Sequence, residues 1–200
     1  MFADRNPHND DEEGDSSSGK MTEAKEFVTV TFRINNKVIE HFRRESEKRG
    51  ISMNALVNQV LGRYIEWDSY EQKIGMIPFP KAVLGKIFAE MNANQIVELA
   101  TSVGKDTAID MAIFMKGRID VLGFVSWLET RMGNSGFEVV HRIDRLDGVH
   151  TITIKHDIGK NWSLYLKTLL ESILTDVFKK QSEFVISDSM LSVSFKGQKR

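Results

Sequence analysis

The sequence predicts an α+β protein in which an N-terminal strand and two helices precede a larger mixed region. Three observations support this class: an alternating apolar segment near the N-terminus, long stretches with apolar residues at helical spacing, and two alternating segments that flank an Asp-Gly pair. The chain has 200 residues, of which 41% are apolar and 28% charged, as is typical of a globular protein. It has no cysteine, so disulfides and thiolate metal centres are excluded.

The residues before the first predicted strand are acidic. The first 20 residues contain six acidic and two basic side chains, and residues 1–24 lack apolar periodicity. We therefore predict a disordered acidic tail over residues 1–24. The charge reverses over residues 25–50, where seven basic residues stand against four acidic ones. A modest basic surface is expected there, although the formal net charge of the whole chain is −1.

A strand followed by two helices is predicted next. Residues 28–34 read VTVTFRI and alternate strictly between apolar and polar side chains, a pattern typical of a half-buried strand. A first helix is expected after Asn35 or Asn36 and should end at Gly50. Ser52 is expected to cap a second helix, which carries a wide apolar stripe. One strand and two helices form too small a core and leave the strand edges unpaired, so a partner chain is expected.

This order of strand, helix, Gly-Ile-Ser and helix resembles the ribbon-helix-helix family of DNA-binding regulators, the Arc, MetJ and CopG type. The residues that carry the likeness are VTVTFRI at 28–34, the apolar residues Val38, Ile39 and Phe42, and GISMNALVNQVL at 50–61. In that family two chains pair their strands into an antiparallel ribbon that enters the major groove. The resemblance therefore implies a homodimer that reads double-stranded DNA.

The resemblance also implies which residues contact DNA. The outward side chains of the ribbon would read base edges, since Arg offers two donors to guanine and Thr can contact several base edges. The N–H groups at the start of the second helix would hold a phosphate, and nearby basic residues would add phosphate contacts. The base-reading set is Thr29, Thr31 and Arg33, and the phosphate-binding set is Ser52, Met53, Asn54, Lys25, Lys37 and Arg43. Taken alone, the strand residues also fit a solvated surface with high β propensity.

The C-terminal region begins after a proline-containing stretch that interrupts the helical period. We expect it to contain several helices, a β-hairpin, a long helix and two short strands. In outline it is similar to the small-molecule-sensing domains of the vinyl-reductase-like and TRAPP-like group, but the cysteines typical of many vinyl-reductase-like domains are missing. The predicted regions are the acidic tail at 1–24, a ribbon-helix-helix domain at 25–68, a linker at 69–80 and an α+β domain at 81–200.

The predicted hairpin places histidines on one sheet face. Asp147-Gly148 suits a two-residue type I′ turn between the two strands. With that turn, His141 and His156 become diagonal neighbours on one face. Together with Trp162 from the following helix they form a candidate ligand site, and ordinary core-edge histidines are the alternative. No third metal ligand lies on the same face, so no metal site is expected.

Patterns typical of catalysis are missing from the sequence. It has no phosphate-binding loop, nucleophile elbow, zinc-protease motif or dinucleotide-binding glycine pattern, so we expect neither an enzyme nor a cofactor. The N-terminal residues lack the basic-then-apolar order of a signal peptide, and no apolar run reaches membrane-spanning length, so we expect a cytoplasmic protein. We expect a homodimeric or higher-order transcriptional regulator whose C-terminal domain senses a small-molecule ligand or mediates oligomerisation. The alternative is an antitoxin or adaptor whose C-terminal domain binds a partner protein.

Overall fold

The computed structural model describes residues 28–71, 73–117 and 119–197, and the chain divides into two compact units, Met1–His41 and Phe42–Arg200. In the first unit, residues 28–35 form neither helix nor strand. The predicted strand within this segment depends on a second chain, so it stays a prediction. The predicted acidic tail lies outside the described residues.

The described elements form an α+β fold, which confirms the predicted class. The helices are α1 Asn36–Arg49, α2 Met53–Arg63, α3 Ser69–Glu71, α4 Lys81–Glu90, α5 Ala93–Leu99, α6 Lys105–Lys116, α7 Val121–Asn134 and α8 Lys160–Ser172. The strands are β1 Glu138–Ile143, β2 Val149–Lys155, β3 Ser182–Ile186 and β4 Met190–Lys196. Single π-helical turns extend α2, α5 and α8, over Tyr64–Asp68, Ala100–Gly104 and Ile173–Val177. Among the described helices, none combines the length and the apolar character that a bilayer-spanning segment requires.

The junction between α1 and α2 is built as the sequence predicts. α1 is followed by Gly50 in the left-handed region, with φ 63°. The N–H of Gly50 donates to the Glu47 carbonyl at 3.1 Å, and the N–H of Ile51 donates to the Ser46 carbonyl at 3.1 Å. This pair of bonds is a Schellman motif, which satisfies carbonyls at the end of the helix. Ser52 then caps α2, so both predicted helix boundaries are confirmed.

One antiparallel four-stranded sheet, with strand order β1-β2-β4-β3, forms the centre of the second unit. α7 packs on β1, and α8 packs on β3 and β4. The opposite face carries hydroxyl side chains that pair across the two central strands, such as Thr151 with Ser194 at 3.0 Å. The buried residues of the central strands alternate with these hydroxyls: Ile152, Ile154, Leu191, Val193 and Phe195.

The core of the second unit also receives residues from the segment after α2. Trp67, in the π-helical turn that follows α2, is only 2% exposed, and this turn packs on α7. Tyr70, which falls in the predicted linker, lies edge-on to Phe114 of α6 with ring centroids 5.8 Å apart. The start of that linker is therefore packed within the second unit. The predicted domain limits themselves stay predictions.

The hairpin of β1 and β2 is confirmed, but its predicted two-residue turn is wrong. The N–H of Asp144 donates to the Val149 carbonyl at 2.8 Å, and residues 145–148 connect the two strands. The Asp144 side chain also accepts a backbone N–H inside the turn at 2.8 Å, an arrangement that aspartate favours. Ile143 therefore pairs with His150, two positions away from the predicted register. A shift of two keeps each side chain on its face but changes its neighbours.

Loss of the Ser52 cap should destabilise the second unit. The Ser52 hydroxyl accepts the N–H of Ala55 at 3.1 Å, so Ser52→Ala should lower the free energy of unfolding by about 1 kcal/mol. Chemical denaturation measures this change. The matched control is Ser126→Ala, since Ser126 is exposed within α7 and alanine favours a helix interior. Equal losses in both variants would contradict the capping role.

Candidate functional site

Both sides of the predicted DNA-reading segment are exposed in the single chain. Thr29, Thr31 and Arg33 are exposed, as the resemblance requires. The intervening apolar side chains are exposed as well: Val28 by 77%, Val30 by 61%, Phe32 by 65% and Ile34 by 48%. An alternating segment with no buried side leaves its apolar face open to another surface.

The predicted phosphate contacts lie on α1 and at the start of α2. Lys37 is exposed in the first unit, and Arg43 is exposed in the second. Ser52 uses its hydroxyl on Ala55, so any phosphate at the start of α2 would meet the N–H groups of the exposed Met53 and Asn54 instead. Lys25 lies outside the described residues.

The wide apolar stripe of α2 and the π-helical turn after it is buried along one side and exposed along the other. One face, with Leu56 and Trp67, is buried within the second unit, where these residues are 3% and 2% exposed. The other face remains open to solvent. Its members are Met53 at 38%, Val60 at 46%, Leu61 at 48%, Tyr64 at 59% and Ile65 at 67% exposure.

Two histidines and a glutamate form a polar cluster at one end of the sheet. Oε1 of Glu129 in α7 lies 3.1 Å from His141 Nδ1. His141 Nε2 lies 3.0 Å from His150 Nδ1, and the two rings stack with centroids 5.1 Å apart. His150 also stacks on Phe195 at 5.4 Å. This polar cluster links α7 to β1, β2 and β4. The sequence did not predict the contact of Glu129 with His141, because Glu129 lies on a helix outside the hairpin.

The predicted pairing of His141 with His156 is wrong because of the changed hairpin register. His156 instead forms a 2.8 Å hydrogen bond with the Ser163 hydroxyl. That hydroxyl donates to the Ser187 carbonyl at 2.5 Å. The two histidines therefore belong to different hydrogen-bond networks. The signal that could have revealed the register was Asp144, a second aspartate able to close the turn.

Trp162, the third residue of the predicted ligand site, packs in an aromatic cluster. The centroid of its ring lies 4.9 Å from the ring centroid of Phe88, 5.2 Å from that of Tyr165 and 6.3 Å from that of Phe137. Its indole Nε1 is buried and has no hydrogen-bond partner within the described part of the chain. The structure therefore does not combine Trp162, His141 and His156 in one hydrogen-bonded site.

Burial and neighbouring groups lower the pKa of two histidines, His150 and His156. Burial lowers the pKa of His150, and the interactions with His141 and Lys180 lower it further. Burial also lowers the pKa of His156, where Asp157 opposes the shift and Lys81 adds to it. Within the described part of the chain, no three His, Asp or Glu residues are grouped so that they could hold a metal ion.

The comparisons with known proteins give no assignment. No family model matches the sequence, and neither the curated proteins nor the solved structures yield a significant match. A functional assignment therefore depends on the residues of the chain itself.

Acid should destabilise the second unit through His150 and His156. The unfolded chain binds protons near the ordinary histidine pKa of 6.5, whereas both folded histidines bind them only at lower pH. Stability should therefore be nearly constant above pH 6.5 and decline as the pH falls below that value. Urea unfolding between about pH 7.5 and about pH 5.5, a range in which histidines are the main titrating side chains, measures this slope.

Matched variants assign the pH dependence to the buried histidines. The double variant His150→Gln, His156→Gln should flatten the slope, whatever its absolute stability. His41→Gln is the control, because His41 is exposed on α1. A slope as steep in the double variant as in the wild type would show that other groups cause the acid sensitivity.

Proposed function

We propose that the chain is a homodimeric, sequence-specific DNA-binding regulator of the ribbon-helix-helix type, acting in the cytoplasm. The single observation that carries this proposal is the exposure of every apolar residue in the alternating segment 28–34. Exposure of such an apolar row to water is unfavourable in free energy for a monomer, and pairing with the identical segment of a second chain would remove the row from water. The open apolar face on α2 gives a second surface for the same partner chain.

Antiparallel pairing of two 28–34 segments would place the apolar side chains on one face of the ribbon and the polar side chains on the other. Phe32 and Ile34 would turn toward the dimer core, and the alternation would direct the polar residues outward. Arg33 would then offer its guanidinium to guanine O6 and N7, and the threonines would contact neighbouring bases. The N–H groups at the start of α2, together with Lys37 and Arg43, would position the dimer on the phosphates.

The second unit would act in regulation. Its own buried core does not require the ribbon, and we propose that it senses a ligand or mediates oligomerisation. A second candidate function is that of an adaptor or antitoxin whose C-terminal part binds a protein. One observation favours it: Val83 and Ile87 lie one turn apart on α4 and are 46% and 47% exposed.

DNA binding should depend on the outward residues of the segment. After selection of a target from a randomised duplex pool, Arg33→Ala should weaken binding by about 1–3 kcal/mol per half-site and relax the base preference. The triple variant Thr29→Ala, Thr31→Ala, Arg33→Ala should lose specific binding. Wild-type affinity should also fall steeply as salt rises, because contacts from both chains release counterions. Fluorescence anisotropy measures all three effects.

The control for this experiment is Arg145→Ala, which removes the same charge from the exposed hairpin turn. It should bind the selected duplex as the wild type does. Unchanged binding by the triple variant would reject the segment as the reader of DNA. A stable dimer that selects no duplex at all would favour the adaptor or antitoxin function instead.

Dimerisation should depend on the inward residues of the same segment. Phe32→Ala should weaken the dimer by roughly 3–5 kcal/mol if the ring is buried between the chains. Sedimentation measurements over a dilution series report the dissociation constant. Val185→Ala is the control, since Val185 is 63% exposed on β3 and outside the proposed interface. A Phe32→Ala dimer as tight as the wild type would place the dimer contact elsewhere.

A further inference from the structure

Arg131 is a half-buried cation without an acidic partner among the residues that the structure describes. It lies near the end of α7, with its guanidinium over the Trp127 ring at 5.4 Å. Its Nη1 donates to the Met111 sulfur of α6 at 3.1 Å. No carboxylate among the described residues forms an ion pair with it. Burial lowers its pKa, and the nearby Tyr165 side chain opposes this shift. Because a thioether is a weak acceptor, the charge of Arg131 is only partly compensated by the described residues.

A second unused donor belongs to the tryptophan under this guanidinium. Trp127 is 2% exposed, and its indole Nε1 is buried without a hydrogen-bond partner among the described residues. A buried N–H without an acceptor costs free energy. Arg131 and Trp127 therefore supply a charged donor and a neutral donor from consecutive turns of α7, and no hydrogen bond joins either donor to an oxygen of the described residues.

We propose that Arg131 and Trp127 form a binding site for a small organic monoanion, a carboxylate with an apolar body. The carboxylate would pair with the guanidinium, as Arg does with planar two-oxygen anions, at the edge of the Trp127 ring on which the guanidinium lies. One cation among apolar neighbours suits a single negative charge, whereas a strongly hydrated phosphate would need more charged partners. This site is independent of the proposed DNA binding.

The ligand would displace the Met111 side chain. Its side chain is half-buried at the surface of the core and is unbranched, so it can change rotamer at low cost. Moving it aside exchanges a weak sulfur acceptor for a carboxylate oxygen on the same donor. The apolar body of the ligand would then pack where the methionine side chain lay, against the half-buried Met115 one turn further along α6, which also borders the core.

Hexanoate and 1-hexanol test the site, because they share a chain length and differ in charge. Calorimetric titration of the full-length protein should show one hexanoate bound per chain and much weaker binding of hexanol. Arg131→Met should weaken hexanoate binding at least tenfold, since a hydrogen-bonded charge pair is lost. Arg142→Met removes the same charge from an exposed position on β1 and should bind like the wild type.

Thermal unfolding without ligand separates a binding role from a structural one. Replacing an uncompensated buried charge by an apolar side chain of similar length should leave the melting temperature unchanged or raise it. A clear fall in the melting temperature of Arg131→Met, or failure to fold, would show that Arg131 is structural and would overturn the proposal. So would equal binding of hexanoate and hexanol, unchanged binding by Arg131→Met, or no hexanoate binding up to its solubility limit. Arg131→Lys, which keeps the charge but not the planar fork, should retain part of the affinity.

Discussion

Burial of one sheet face beneath α7 and α8 is the interaction on which the second unit depends. The two central strands carry isoleucine, leucine, valine and phenylalanine toward the helices and hydroxyl residues toward the other side. A slip of one residue would bury the hydroxyls and expose the aliphatic side chains, so the pleat fixes the register to even shifts. The same packing positions polar residues of the helices, because it brings Glu129 of α7 against His141 and Ser163 of α8 against His156.

The sequence predicts local features of this fold well because their causes are local. Gly50 ends α1 because the Schellman motif needs a left-handed residue, and Asn92 with Gln95 opens α5 through a reciprocal capping box. The prediction of the hairpin register was wrong because the same residues were compatible with two different turns. The Asp147-Gly148 pair favours a two-residue turn, but the bonds of Asp144 close a longer one. An even shift satisfies the alternation equally, so periodicity could not decide between the two turns.

Candidate sites that depend on tertiary neighbours could not be predicted from the sequence. Glu129, His141 and His150 meet only because α7 packs across the start of the sheet. In sequence Arg131 is an ordinary basic residue near a helix end, and only the structure shows that it contacts Met111 and Trp127 and no acidic side chain among the described residues. In the first unit, Thr29, Thr31 and Arg33 are exposed in the single chain. Their proposed role depends on a second chain, which one sequence cannot supply.

The two units differ in how their apolar residues are covered. The second unit has its own buried core, whereas the apolar residues of segment 28–34 are exposed in one chain. Under the proposed function, folding of the DNA-reading segment would therefore be linked to dimer concentration, whereas the core of the second unit would not. A ligand held at Arg131 would then alter DNA affinity only by binding one state of the proposed dimer more tightly than another. Because such coupling is reciprocal, DNA would then change the affinity for the ligand by the same factor.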